Sequence, residues 1–311
     1  MPNTLRKQFY EFFARKAKEA GIAWAVLSGI EGYPADIGRD LDVACRDSQE
    51  AQRLRDLFVV CLRQRGFRWI VYPSPIWGRR ILGITEDYAA VELHIVSPVR
   101  IGSISLVPAW DRLDMIEGLF PVDPLLRYFK RCLMPALTRN EAWRRKCAET
   151  AVPARMPWWI QPTARRIARG EELARADSLK LSALYFVAHP AAAIANLVRW
   201  RFRRGVRRSY PAAPVYQLAD ATSSEYFLAL ARTSLAQIFT GFICVDDVGS
   251  RRINALQAIQ NLTFLTRSRP DVRDVRVIPG TVSEDRELLT TIVEAFVAFN
   301  ERWKPKEPDT H

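Results

Sequence analysis

Cysteine and histidine are scarce in this chain of 311 residues, and neither is arranged to hold a metal. Its five cysteines (Cys45, Cys61, Cys132, Cys147 and Cys244) are scattered without a C-x-x-C pair. An odd number of thiols without framework spacing excludes a disulfide scaffold and points to a reducing compartment. The three histidines are too dispersed for a zinc site. The dipeptide Gly-Lys is absent, so there is no G-x-x-x-x-G-K-[ST] loop, which excludes a working P-loop kinase. There is no internal repeat or low-complexity tract. The Met-Pro-Asn-Thr start runs into a charged amphipathic segment, the pattern of a chain without a signal peptide, so a cytoplasmic location is expected.

Negative charge is also in short supply. Lys and Arg number 46 against 34 Asp and Glu, a net charge of +12. Such a surface favours phosphates, nucleic acids or anionic lipid head groups and says nothing about fold. An arginine-rich composition without a polyanionic partner is the plain alternative. The length and a hydrophobic content of 49% suffice for two domains with a full core.

The pattern of residues predicts an α+β fold. Leu5, Phe9, Phe12, Phe13, Ala17 and Ala20 recur at helical spacing up to Gly21. Strands are expected at Ile22–Ser28 and from Asp40 onward. Asp47-Ser48-Gln49-Glu50 reads as a capping box opening a helix that Gly66 closes. Phe67–Tyr72 is β-rich, and Arg80–Thr85 with Tyr88–Val96 reads as a hairpin across Glu86-Asp87.

The candidate chemistry lies in Ala25–Cys45. An apolar strand stops at Ser28-Gly29, a polar loop (Ile30–Arg39) follows, and the chain resumes as Asp40-Leu41-Asp42-Val43. Alternate residues of a strand share a face, so Asp40 and Asp42 lie together while Leu41 and Val43 bury the other side. Two carboxylates beside a glycine turn suit a divalent cation and a polyphosphate. Solvated residues on an edge strand are the bland alternative. On the later strand Glu92 and His94 share a face, opposite Val91, Leu93 and Ile95. Glu92 could be a third acid or a solvent-facing polar residue; His94 could be a base, a phosphate contact or a support for Glu92. Arg39, Arg79 and Arg80 are candidate phosphate contacts, with a solvated strand edge as the alternative for the last two.

Over roughly residues 1–100 this arrangement resembles the polymerase-β-type nucleotidyltransferase superfamily, whose signature is a strand ending in Gly-Gly or Gly-Ser, a loop, Asp-hydrophobic-Asp-hydrophobic and a later acidic residue. Leu27-Ser28-Gly29, Asp40-Leu41-Asp42-Val43 and Val91-Glu92-Leu93 stand at those places. Here the serine precedes the glycine, and Ile30 follows it where the family has glycine or serine. The resemblance implies a small mixed-sheet core, with Asp40, Asp42 and Glu92 as catalytic residues and ligands for Mg²⁺. It implies backbone N–H groups of Ser28-Gly29 on the triphosphate of an NTP, and transfer of a nucleoside monophosphate to an unidentified acceptor. Because Ile30 lacks the usual hydroxyl, an inactive nucleotidyltransferase-fold binding protein is the alternative.

Residues 101–206 read as a helical region, with helices at Asp123–Leu137, Thr138–Glu149 (capped by Thr138 and Glu141) and Pro162–Ala176. Leu181–Val198 is uncharged and is followed by the arginines of Arg199–Arg208. Packed core helices, an interfacial helix on an anionic membrane and a membrane span are the three readings. Nucleic acid is a further partner for arginines interleaved with Trp200 and Phe202. After a boundary at Arg207–Pro214, residues 218–303 alternate as a small α/β layer. It is faintly similar to the closing third of a thymidylate-kinase-like fold. Helices are expected at Ser223–Ile238, Arg251–Leu265 and Glu284–Trp303, with strands at Phe242–Val245 and Val275–Ile278. Asp246-Asp247 mimics a Walker-B ending or caps the next helix.

Overall fold

The structure is a computed structural model that describes residues 2–72, 79–86, 89–96, 99–101, 104–137 and 143–206, four later strands and residue 294. The chain is α+β, as its sequence predicts. In order come α1 (Pro2–Glu19), β1 (Trp24–Ser28), β2 (Asp40–Cys45), α2 (Ser48–Gln64), β3 (Arg68–Tyr72), β4 (Arg79–Ile84) and β5 (Ala90–Ile95). Then follow β6 (Val99–Ile101), β7 (Ile104–Leu106), β8 (Asp114–Ile116) and β9 (Phe120–Val122). The helices α3 (Pro124–Tyr128), α4 (Met134–Leu137), α5 (Trp143–Ala148), α6 (Gln161–Ala168), α7 (Arg175–Ala188) and α8 (Pro190–Val206) come next. A π-helical turn, Phe129–Leu133, joins α3 to α4.

The sheet that carries β1 and β2 is mixed, in the order β5-β2-β1-β9-β8. The region expected to turn helical near residue 101 instead continues the sheet: β9 pairs parallel with β1, and β8 antiparallel with β9. Short strands around Glu117 and Gly118, both with positive φ, carry too little periodicity to read in advance.

Contacts divide the chain into two units, Met1–Cys61, Ile76–Arg79 and Glu92–Gly205 against Leu62–Pro75, Arg80–Val91 and Val206–His311. In the first, the two faces of β1 and β2 carry different cores. Phe9 and Phe13 of α1 stack edge-on against Phe58 of α2 (5.3 and 5.0 Å), and Phe13 meets Trp24. On the opposite face Leu27 and Ala44 join the core of the helices, including Leu126, Phe129, Leu133, Trp159 and Tyr185. The second unit holds the β3–β4 antiparallel pair and a four-stranded parallel sheet, β11-β12-β10-β13, of β10 (Val215–Leu218), β11 (Gly241–Cys244), β12 (Leu262–Thr266) and β13 (Val275–Ile278). β12 occupies the end of the segment expected as the helix Arg251–Leu265; Thr263, Phe264 and Thr266 favour the strand. The helices expected at Ser223–Ile238 and Glu284–Trp303, the Thr138–Glu141 box, Asp246-Asp247 and the Arg207–Pro214 boundary lie outside the described residues.

One helix boundary differs from expectation. Pro162–Ala176 is broken: α6 ends before Gly170, which has φ +74°, and α7 starts at Arg175. The uncharged run Leu181–Val198 is two helices bent by 120° between His189 and Pro190. Among the described residues no helix is long and apolar enough to cross a membrane. The Asp47 cap is half of the expected box. Its Oδ1 accepts from the Gln49 and Glu50 N–H groups, whereas the Glu50 carboxylate accepts from Ala23 N–H and pairs with Arg53.

Candidate active site on strands β2 and β5

β2 is a central strand, flanked by β5 and β1, so the edge-strand alternative for Asp40 and Asp42 does not hold. β2 and β5 run parallel in the register Asp40↔Glu92 and Asp42↔His94. Paired residues of a parallel ladder point to the same side, so all four side chains share one face. Glu92 is 2% exposed, which overturns its solvent-facing alternative. β1 joins from the other side, pairing Val26 with Val43 and then Ser28 with Asp42. The one-residue shift is a bulge that takes Ser28 out of the alternation and aims it at Asp42.

The expected residues assemble into two adjacent groups. In one, Asp42 accepts a hydrogen bond from the Ser28 hydroxyl and lies 2.7 Å from His94 Nδ1 and 3.5 Å from Lys130 Nζ. Burial by itself raises the Asp42 pKa. The His94 hydrogen bond, the Lys130 charge and the Ser28 hydroxyl outweigh it and hold the carboxyl well below the ordinary range. In the other, Arg39 bridges the two remaining acids, with Nε 3.4 Å from Asp40 and Nη2 3.7 Å from Glu92. Arg80 sits half-buried at the second position of β4, opposite Tyr72, and Arg79 opens the same strand. Ser28 therefore spends its hydroxyl on Asp42, and His94 contacts Asp42 across the ladder.

The turn before β2 needs glycine twice over. Gly29 has φ +106°, and a Cβ there would lie 2.2 Å from the Asp40 carbonyl oxygen. Gly38 N–H donates to Gly29 O at 2.7 Å and closes the loop. Ile30 and Ile37 are buried, so Ile30 anchors the loop in the core. Asn3 ties the loop to α1 by donating to Ala35 O and accepting from Ile37 N–H.

Several residues of the site have no signal in the sequence. Tyr10, buried on α1, binds the backbone of Glu92: its hydroxyl donates at 3.0 Å to the Glu92 carbonyl or to that of Arg39, and accepts from Glu92 N–H at 2.9 Å. Lys130 and Arg131 lie on the π turn, where Met134 N–H reaches back to Phe129 O. Pro135, which has no N–H to give Arg131 O, accounts for the wider turn. Glu31 accepts from Gly29 N–H at 3.0 and 3.1 Å through its two oxygens, and lies 3.4 Å from Arg131 Nε.

Hard carboxylate oxygens on one face suit Mg²⁺, which takes one or two carboxylates and shares its remaining positions with phosphate and water. Among the described residues no group of three or more His, Cys, Asp or Glu side chains is placed to hold a metal ion. Comparisons with protein-family models and with curated proteins find no match to this chain.

Proposed function

We propose that this chain is a Mg²⁺-dependent nucleotidyltransferase that moves a nucleoside monophosphate from an NTP to a hydroxyl or phosphate acceptor. The reading rests on one observation: the β2–β5 register sets Asp40 opposite Glu92, with Asp42 two residues on along the same face. Asp40 and Asp42, with Glu92, are the residues that would hold the metal. When bound, Mg²⁺ supplies neutralisation of triphosphate charge and alignment of the α-phosphorus for in-line attack. Glu92 takes the acceptor proton as the new P–O bond forms, and the bond to the departing pyrophosphate breaks. Arg39 shields Glu92 and Asp40 from each other and from the incoming phosphates. Lys130 exchanges its Asp42 partner for phosphate oxygen, and Tyr10 keeps the Glu92 backbone in place. Free thiols at Cys45, Cys61, Cys132 and Cys147 support a reducing, cytoplasmic setting.

Calorimetry with an equimolar set of the four NTPs, with and without Mg²⁺, tests the site. Wild type binds in a Mg²⁺-dependent way, and Asp40→Asn and Asp42→Asn each lose the Mg²⁺-dependent gain, about tenfold or more in affinity. A wild-type chain indifferent to Mg²⁺, or variants that keep the full gain, overturns the assignment.

The second reading is a non-catalytic protein of this fold seated on an anionic membrane. It is favoured by the apolar surface of α7 and α8: Leu179 and Val187 are 73% and 71% exposed, joined by Phe186, Ile194, Leu197 and Val198. In the sequence the apolar run is followed by the arginines of Arg199–Arg208. Flotation with phosphatidylserine vesicles at low salt, reversed by high salt and absent with phosphatidylcholine, is the expected result. No flotation at low salt removes this reading.

A further inference from the structure

The nucleotidyltransferase reading leaves unexplained why a carboxylate occupies the glycine turn. Gly29 N–H faces both oxygens of Glu31 at 3.0 and 3.1 Å. Behind Glu31 stands Arg131, only 6% exposed, with Nε 3.4 Å away and Nη2 held by Glu149 at 3.0 Å. One helical turn earlier is the half-buried Arg127. Arg131 Nη1 and Arg127 Nε are buried without a hydrogen-bond partner among the described residues. Buried guanidinium N–H groups left unpaired are costly, and planar guanidiniums beside a backbone N–H that already binds a carboxylate suit a phosphate. Lys130, between the two arginines, reaches Asp42 at 3.5 Å, so the same stretch of helix serves both the carboxylate face and the glycine turn.

We infer that Gly29 N–H, Arg127 and Arg131 form a seat for the terminal phosphates of a polyphosphate, and that Glu31 is an internal anion that holds the seat until the ligand expels it. Glu31 belongs to the loop, not to a strand, and its side chain is about a quarter exposed (27%), so it can swing outward without disturbing the sheet. Its departure frees one backbone donor and the Nε of Arg131 and removes one negative charge from the cluster. This rests on the nucleotidyltransferase reading for the identity of the ligand, but the seat requires neither metal nor transfer.

The test is binding of inorganic tripolyphosphate in EDTA, measured by calorimetry at fixed ionic strength. Glu31→Gln keeps an acceptor for Gly29 N–H while removing the competing charge, and is expected to bind tripolyphosphate about tenfold tighter than wild type. Arg127→Gln, on a half-buried side chain, is expected to bind about tenfold weaker. An unchanged or weaker affinity in Glu31→Gln, or an unchanged affinity in Arg127→Gln, overturns the proposal, as does a complete absence of tripolyphosphate binding in all three proteins. The fate of the nucleotidyltransferase reading is read separately. Tighter tripolyphosphate binding in Glu31→Gln, together with NTP binding indifferent to Mg²⁺, leaves the seat standing and removes the enzyme.

Discussion

The two faces of the β1–β2 pair come from the same few residues and are built on opposite principles. One face is dry and aromatic: Phe9 and Phe13 meet Phe58 edge-on and Trp24 packs tilted against Phe13, with Leu41, Val43 and Cys45 all buried beneath. Burial, helped by the negative charges of Glu50 and Asp47, also pushes the Cys45 thiol up to about 12, the behaviour of an inert core residue. The other face is apolar only where Leu27 and Ala44 meet the helices; beyond them it carries Asp40, Asp42, Glu92 and His94 among Arg39, Lys130 and Arg131, with each acid answered by a cation or a hydrogen-bond donor. A set of partly buried ion pairs contributes little net stability compared with an apolar core of the same volume. Strand alternation thus separates a face that holds the fold together from a face that costs stability to keep, and sites of chemistry are found where that cost is borne.

The sharpest way to break the comparison is to cut into the apolar face. Phe58→Ala removes a fully buried ring from between Phe9 and Phe13 and is expected to cost about 4 kcal/mol of unfolding free energy. Urea denaturation followed by tryptophan fluorescence measures it. Below the transition the variant should still bind tripolyphosphate like wild type, because no phosphate contact touches Phe58. A loss of about 1 kcal/mol or less would mean that the aromatic face is not the stabilising one. The carboxylate variants Asp40→Asn and Asp42→Asn supply the converse: a large loss of metal-dependent binding with a smaller loss of stability.

Much of this division was legible in the sequence, because it follows from period-two alternation and one glycine. Asp40-Leu41-Asp42-Val43 separates its faces by inspection, and Val91-Glu92-Leu93 does the same two strands away in sequence. That Glu92 comes to lie opposite Asp40 could only be hoped for, since register across a parallel pair is decided by tertiary contacts such as the Tyr10 bridge. Tyr10 lies outside the apolar set that marks the first helix, and its part in the site comes only from its bonds to the Glu92 backbone. Lys130 and Arg131 were hidden for the opposite reason: in a chain with 46 basic residues, two more on a helix carry no signal. The strands after residue 101 were missed because three-residue segments are too short for alternation to show. Among the readings of Leu181–Val198, the one with more than a single helix fits the bend of 120° at His189-Pro190, where proline breaks the helix.

The smallest effect expected, and the one that separates the faces without perturbing packing, is the response to acid. Folding lowers the pKa of Asp42: burial opposes ionisation, but His94, Lys130 and Ser28 together favour the carboxylate more strongly. The folded protein therefore binds this proton less readily than the unfolded chain. The corresponding stability is fully present above the unfolded value of about 3.9 and is lost as pH falls toward the lower folded value. Wild type should lose on the order of 2 kcal/mol across that acid window through this group alone, the size of the linkage of a salt-bridged aspartate. Asp42→Asn has no proton to bind there, so its unfolding free energy should fall less steeply below about pH 4. Phe58→Ala, by contrast, should run parallel to wild type at every pH, since the aromatic face around it offers no group that titrates in that range. Equal acid slopes in wild type and Asp42→Asn would mean that Lys130 and His94 do not hold Asp42 ionised, and the polar face would then lose the electrostatic character that sets it apart from the aromatic one.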